Sequence, residues 1–201
     1  MSNLKTVMDI GAIQEIMKKK YPAKLLEHSL GVEYMARKLA AVYNLDEEKT
    51  AIAALLHDYG KTYPYMDLLR IAVKHDLADE IMLREPVLLH APVGSWLLRR
   101  EFGIRDEEIL TAVRLHTTGA DGMAPLAAVV YLADYIEPGR KTKGVSKLRE
   151  LAFQDLQQTL LEAVDSTIRY ILEKQGLLHP DSILFRNGLL SLLKNRNREL
   201  L

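Results

Sequence analysis

Residues 51–61 read AIAALLHDYGK, and this stretch decides the fold class. Its apolar run has no strand-like alternation, and it is preceded by Asp46-Glu47-Glu48, which load a helix N-terminus with negative charge. The expected helix stops at Gly60, read as the C′ residue, so His57 and Asp58 fall on its last turn. A helix end of this kind carries partial negative charge and favours a cation beside it. Ala53 and Ala54, one turn back, leave space on the His57 face.

Outward from this segment the helical period persists, and no convincing period-2 strand is found. Helices are expected over Val7 to Lys19, Ala23 to Tyr43, His90 to Phe102, and from Asp106 to a close at Thr117-Thr118-Gly119. Pro22 starts the second, with Leu25, Leu26, Val32, Met35, Leu39 and Val42 facing inward. Pro125 opens a helix that carries Asp134 and ends before Pro138-Gly139. Residues 64–85 read as short helices with loops, and two long helices follow, about Lys147 to Gln175 and Ser182 to Asn195. The reading is one all-α domain over residues 1–201, with a core at about 20–140 and the C-terminal helices, about 147–195, packed on it.

Composition bounds the function. Lys+Arg 27 against Asp+Glu 27 gives a formal net charge of zero, which argues against a nucleic-acid or membrane binder. With no cysteine, disulfides, iron–sulfur clusters and cysteine-rich zinc sites are excluded, so a metal must sit among His, Asp, Glu and water. The first twenty residues contain no apolar signal region, and the run Leu126 to Ala133 is too short to cross a bilayer, so a cytoplasmic location is expected.

Six histidines are present: His28, His57, His75, His90, His116 and His179. Gly31 follows His28 by one turn, where a helical Gly costs about 1 kcal/mol relative to Ala. It therefore points to close approach of another helix or of a ligand. Asp134 closes an otherwise buried helix, LAAVVYLADYIEP, and needs a cationic or metal partner. Taken singly, each residue has a bland explanation. The order His28, His57-Asp58, His90, His116, Asp134, all on helices or helix ends, is harder to dismiss, because a helical bundle converges such residues on one cavity. Imidazoles and carboxylates without thiolates suit Fe, Mn, Zn, Ni or Co.

The ordered set, with ALLHDYGK at 54–61, LLHAPVGSWL at 88–97, LHTTG at 115–119 and LADYIEPGR at 132–140, resembles the HD-domain phosphohydrolases. More narrowly, over roughly residues 10 to 185, it is similar to the YqeK family of bacterial symmetrical dinucleoside tetraphosphate hydrolases. The resemblance implies an HD-domain helical bundle with His28, His57, Asp58 and Asp134 as metal ligands. It also implies iron or a similar divalent ion (Mn, Co, Ni or Zn), and diadenosine tetraphosphate as a substrate cut to two ADP. One ion is favoured and a second stays open. His90 and His116 match additional histidines that either hold a second metal or contact phosphate, and phosphate contact is favoured here. In catalysis, Asp58 would orient the attacking water or accept its proton, while His90 and His116 would stabilise transferred charge and protonate the leaving phosphate.

A tetraphosphate must be met by local positive charge in a neutral protein. Lys61 follows the HDYG turn and is expected to reach the cavity. Arg140, Lys141 and Lys143 form a basic loop flexed by Gly139 and Gly144, with Arg140 best placed for bidentate phosphate contact; the alternative is a solvated surface run. Thr117 and Thr118 are weaker phosphate donors. His75 and His179 match no motif position and are read as structural or surface residues. Trp96 and the apolar faces of the last helices serve either a homodimer or the core. Competing functions are an HD-type hydrolase of nucleoside monophosphates, and a non-catalytic nucleotide sensor, against which four intact ligand positions argue. An RNA-associated factor is disfavoured by neutrality and the lack of an aromatic stacking run.

Overall fold

A computed structural model describes residues 9–198, which form eleven α-helices and no strand among the described residues. The helices are α1 Ile10–Lys20, α2 Ala23–Val42, α3 Glu47–Leu56, α4 Tyr65–His75, α5 Glu80–Arg84, α6 His90–Glu101, α7 Glu107–Leu115, α8 Pro125–Ile136, α9 Val145–Leu151, α10 Leu156–Glu173 and α11 Pro180–Arg198. The all-α expectation holds. Val7 and Met8, expected in the first helix, lie outside the described residues.

The helix α3 runs through the centre. Asp46 caps it by accepting from the Lys49 N–H at 3.0 Å, and Glu47 and Glu48 occupy its first turn, where carboxylates are stabilised by the helix dipole. Thr50 through Leu56 are all buried, so this short helix is wrapped on all sides. Ile52, Ala53, Leu55 and Leu56 face one apolar cluster with α1, α6 and α7, while Ala54 faces a second with α2, α8, α10 and α11. Through α8 and its own Val145, Leu148, Leu160, Leu161, Phe185 and Leu189, the C-terminal segment packs on that second cluster. The helix α8 is apolar nearly all round, the mark of a core helix, with Asp134 the exception.

Several local expectations change. Val42 is 46% exposed instead of inward. The helix ends in a Schellman turn, with Asn44 in the left-handed region at φ 52° and the Leu45 N–H donating to Ala40 O at 2.9 Å. Leu45, folded back on the second cluster, takes the apolar position. The helix expected over residues 147–175 is two helices, because Asp155 accepts from the Gln158 N–H at 3.0 Å and starts α10 anew.

Gly60 is not a left-handed C′ residue. It lies in a 3₁₀ turn, Tyr59–Thr62, and a Cβ there would sit 2.3 Å from the backbone oxygen of His90. The glycine is needed so that the start of α6 can press against the turn after Asp58. Tyr59 anchors the same turn from the other side: its ring is buried, and its hydroxyl donates to Glu101 Oε2 at 2.6 Å. Lys20 lies 2.9 Å from that carboxylate, and the Tyr63 hydroxyl also donates to it.

Candidate metal centre

Five helices deliver six side chains to one point. His28 comes from inside α2, His57 and Asp58 from the end of α3, His90 from the first residue of α6, His116 from the cap of α7, and Asp134 from the last turn of α8. His57 and Asp58 are fully buried, His90 and His116 nearly so, and the Asp134 side chain is 20% exposed.

The ring orientations are set by what each Nδ1 meets. Those of His57, His90 and His116 lie 2.7, 2.6 and 2.7 Å from the carbonyl oxygens of Ala54, Val87 and Val113. A carbonyl only accepts, so each of these Nδ1 atoms carries the proton and each Nε2 is left with its lone pair. His28 Nδ1 lies 3.3 Å from Glu137 Oε1, which likewise only accepts when ionised.

All four Nε2 atoms then converge on the carboxylates. Asp58 Oδ2 is 3.3 Å from His57 Nε2 and 3.6 Å from His28 Nε2, and Asp134 Oδ1 is 3.1 and 4.0 Å from His28 and His57. The other oxygen, Asp58 Oδ1, is 3.1 Å from His90 Nε2 and 3.4 Å from His116 Nε2. Although close, neither ring meets it at hydrogen-bonding angles, and Oδ1 is buried without a hydrogen-bond partner. The ligand atoms of His28, His57 and Asp58 lie within 4.8 Å of one another, as do those of His57, His116 and Asp134 and those of Asp58, His90 and His116.

This donor set fits a divalent cation. His90 Nε2 and His116 Nε2 are 2.9 Å apart and His28 Nε2 and His57 Nε2 3.3 Å apart, lone pair facing lone pair, which requires positive charge between them. Burial pushes the His116 imidazole down to about 4, so it is neutral at physiological pH and free to act as a ligand. Burial likewise opposes charge on His57, but the Asp58 and Asp134 carboxylates outweigh it and raise its pKa above the ordinary value. For Asp58, burial pushes the carboxyl up, and the surrounding histidines, His57 foremost, more than offset it and hold it well below the usual carboxylate range. Asp134 is depressed in the same way, chiefly by His28 against its burial. Two anions are thus held in a buried pocket that calls for a cation.

The HD domain family matches residues 25–139, from the first turns of α2 to the loop after α8. The chain belongs to the HD-domain family. It is 40% identical over 164 residues to a Bacillus subtilis protein named bis(5'-nucleosyl)-tetraphosphatase, symmetrical, covering 82% of this chain and 88% of that one. A Halalkalibacterium halodurans protein of the same name is 36% identical, over 91% of this chain and 98% of its own length. A solved structure from Clostridium acetobutylicum, described as an HD superfamily hydrolase involved in NAD metabolism, superposes with a TM-score of 0.87 at 39% identity, over 91% of this chain and 97% of that one.

Around the centre of this HD domain, two cations reach inward from the rim. Lys61 Nζ lies 2.7 Å from Asp58 Oδ2, and the Arg140 guanidinium donates to Asp134 Oδ1 at 2.7 Å and to the Asp134 carbonyl at 3.1 Å. Both side chains are 43% exposed, so each spans from the buried carboxylates to solvent. Thr117 Oγ1 is buried without a hydrogen-bond partner. Thr118 is committed elsewhere: its hydroxyl donates to the Gly119 carbonyl and its own carbonyl accepts from Ser182. Lys141 and Lys143 are exposed. His75 stacks on Trp96 at 4.4 Å, and buried His179 pairs with Asp79 at 2.6 Å; neither belongs to the clustered ligand groups.

Sequence reasoning passed over Glu137. It lies in LADYIEPGR, three residues after Asp134, and the usable signal was a carboxylate flanked by Pro138 and Gly139 opposite the unexplained Gly31. The close approach expected at Gly31 is this side chain, for a Cβ there would lie 2.7 Å from Glu137 Oε2.

Proposed function

We propose that this HD-domain protein is a metal-dependent phosphohydrolase that cuts dinucleoside tetraphosphates symmetrically, diadenosine tetraphosphate to two ADP. The substrate comes from the relatives named for that activity. The observation that carries the metal dependence is the convergence of four imidazole Nε2 atoms and two carboxylates on one buried point.

Asp58 is the hinge of the proposed centre, with one oxygen toward His28 and His57, which Asp134 also approaches, and the other toward His90 and His116. The first group is the ligand set expected from sequence. For His90 and His116 we favour ligation of a second ion with Asp58, over the phosphate contact expected from sequence, because both Nε2 atoms lie within 3.4 Å of Asp58 Oδ1. An N/O ligand set of this kind suits Fe²⁺, and Mn²⁺ or Co²⁺ would substitute. Divalent ions held there supply Lewis acidity toward a phosphoryl oxygen and lower the pKa of water.

The chain's own groups do the rest. Asp58 and Asp134 stay anionic and balance the bound charge. Lys61 and Arg140, half-exposed at the rim, meet the anionic phosphate chain, and Arg140 offers a bidentate fork. Thr117 Oγ1, next in sequence to His116 and buried without a partner, adds a neutral donor for phosphate. In symmetrical cleavage, water adds to one of the two central phosphorus atoms. The bridging oxygen leaves with the second ADP and takes a proton. A cytoplasmic location and a homodimer belong to the same proposal; among the described residues no helix is long and apolar enough to cross a membrane.

Product analysis tests the reading. Protein loaded with Fe²⁺ or Mn²⁺ and given diadenosine tetraphosphate should yield ADP alone. ATP plus AMP would mean asymmetrical cleavage, and conversion of AMP to adenosine with the tetraphosphate untouched would mean a nucleotidase. Tight binding without turnover would make the protein a sensor.

A further inference from the structure

The four histidines of the centre are not held alike. His57, His90 and His116 each use the carbonyl three residues back: His57 and His116 cap helix C-termini, where carbonyls are free of intrahelical partners, and His90 uses Val87 of the short 3₁₀ turn, Pro86–Leu88, that precedes α6. His28 lies inside α2, where the carbonyls serve the next turn. It has no terminal carbonyl to use, and its Nδ1 faces Glu137 Oε1 instead.

Glu137 is built for that place. Its side chain is 7% exposed, and its second oxygen accepts from the Gly139 N–H at 2.5 Å. Two glycines clear room for it: a Cβ at Gly31 would lie 2.7 Å from Oε2, and one at Gly139 3.0 and 3.1 Å from the two oxygens. The Arg149 guanidinium pins the surrounding backbone by donating to the carbonyls of Ile136, Glu137 and Arg140 at 2.7, 2.6 and 2.7 Å. None of this is needed to end α8, and it sets Oε1 3.3 Å from the His28 imidazole, with the Arg140 Nε farther off at 3.8 Å.

We infer that Glu137 is the positioning residue of His28: it accepts the Nδ1 proton, fixes the tautomer and ring plane, and so keeps Nε2 bare and turned to the centre. The inference rests on reading that centre as a metal site. It makes an unusual demand on substitution. Both oxygens of Glu137 face donors, the imidazole Nδ1–H and the Gly139 N–H, so both must accept. Glutamine has the same shape but a single acceptor. With its oxygen on Gly139 it presents an NH₂ to Nδ1, which favours the opposite His28 tautomer and puts a proton on Nε2.

The test is titration of Mn²⁺ into the metal-stripped full chain by calorimetry, for the wild type, Glu137→Gln, His28→Ala and the double variant. Glu137→Gln should bind Mn²⁺ about 10- to 100-fold more weakly, the usual cost of losing such a partner, with an unchanged metal-free melting temperature. In the His28→Ala background the same change should cost nothing further. Gly31→Ala, which crowds the carboxylate from the α2 side, should weaken Mn²⁺ binding as well and serves if the glutamine variant does not fold. Wild-type affinity in Glu137→Gln or Gly31→Ala would overturn the inference, and so would an equal loss with and without His28. Failure of the wild type to bind Mn²⁺ would instead overturn the metal-centre reading beneath it.

Discussion

Substituting Gly60 by alanine tests how the centre is assembled without replacing any proposed ligand. A Cβ at residue 60 would meet His90 O at 2.3 Å and the His90 carbonyl carbon and Cα at 2.9 Å, all backbone atoms that cannot rotate aside. Ordinary carbon contacts need about 3.5 Å, so the start of α6 must retreat by roughly 1 Å. Overpacking of this kind costs about 1–3 kcal/mol. In a chain of this length that lowers the melting temperature by roughly 2–4 °C per kcal/mol. The retreat carries His90 with it, and the 3.1 Å approach of its Nε2 to Asp58 Oδ1 opens to roughly 4 Å, beyond a shared ligand geometry. Gly60→Ala should therefore melt earlier in chelator and retain less metal, with the loss falling on the His90 and His116 side. Thermal unfolding in EDTA and elemental analysis after reloading read the two effects. A variant with wild-type melting and full metal content would refute the close-packing argument and with it the role given to this glycine.

Other perturbations separate the remaining roles. Asp58→Ala should abolish both hydrolysis and high-affinity metal binding, because both halves of the proposed centre share that side chain; retention of metal would contradict this. Lys61→Ala and Arg140→Ala should raise KM for diadenosine tetraphosphate about ten- to a hundredfold, the usual range for a charge-assisted hydrogen bond, while elemental analysis finds the metal in place. Leu132→Ala, in the fully buried middle of α8, should cost about 2–5 kcal/mol in denaturant unfolding. Burial pushes the Glu101 carboxyl up, but the Tyr59 and Tyr63 hydroxyls and Lys20 more than offset it, so its folded pKa lies below the ordinary 4.5. Its stabilising contribution is therefore present above pH 4.5 and lost as pH falls through the lower folded value. Solvent screening holds it to about 1 kcal/mol, so the melting difference between wild type and Glu101→Gln should be small at pH 7 and vanish in stronger acid.

Where the fold was legible, local chemistry decided it. Asp46 and Asp106 each precede a pair of glutamates and cap α3 and α7 in place, and Pro125 starts α8 as its fixed φ allows. Asp155 does the same for α10, but apolar residues continue on both sides of it, so periodicity alone runs two helices into one. The set His28, His57, Asp58, His90, His116 and Asp134 is visible because a helical core has no use for so many imidazoles.

Its internal arrangement was not visible. That His90 and His116, 26 residues apart, turn to one oxygen of Asp58 depends on how α6 and α7 pack. The meanings of Gly60 and Glu137 likewise lie in the segment opposite each, the start of α6 in one case and α2 in the other. Turn chemistry is written locally, whereas close approach belongs to the assembled structure.

The central claim, a metal centre built on Asp58, is tested most directly by anomalous diffraction from Mn²⁺-soaked crystals of the full chain. Two peaks are predicted, one beside His28, His57 and Asp134 and the other beside His90 and His116, with Asp58 between them. A map with no peak among these six side chains would contradict the account. A single peak on the His28 side would return His90 and His116 to contact with phosphate.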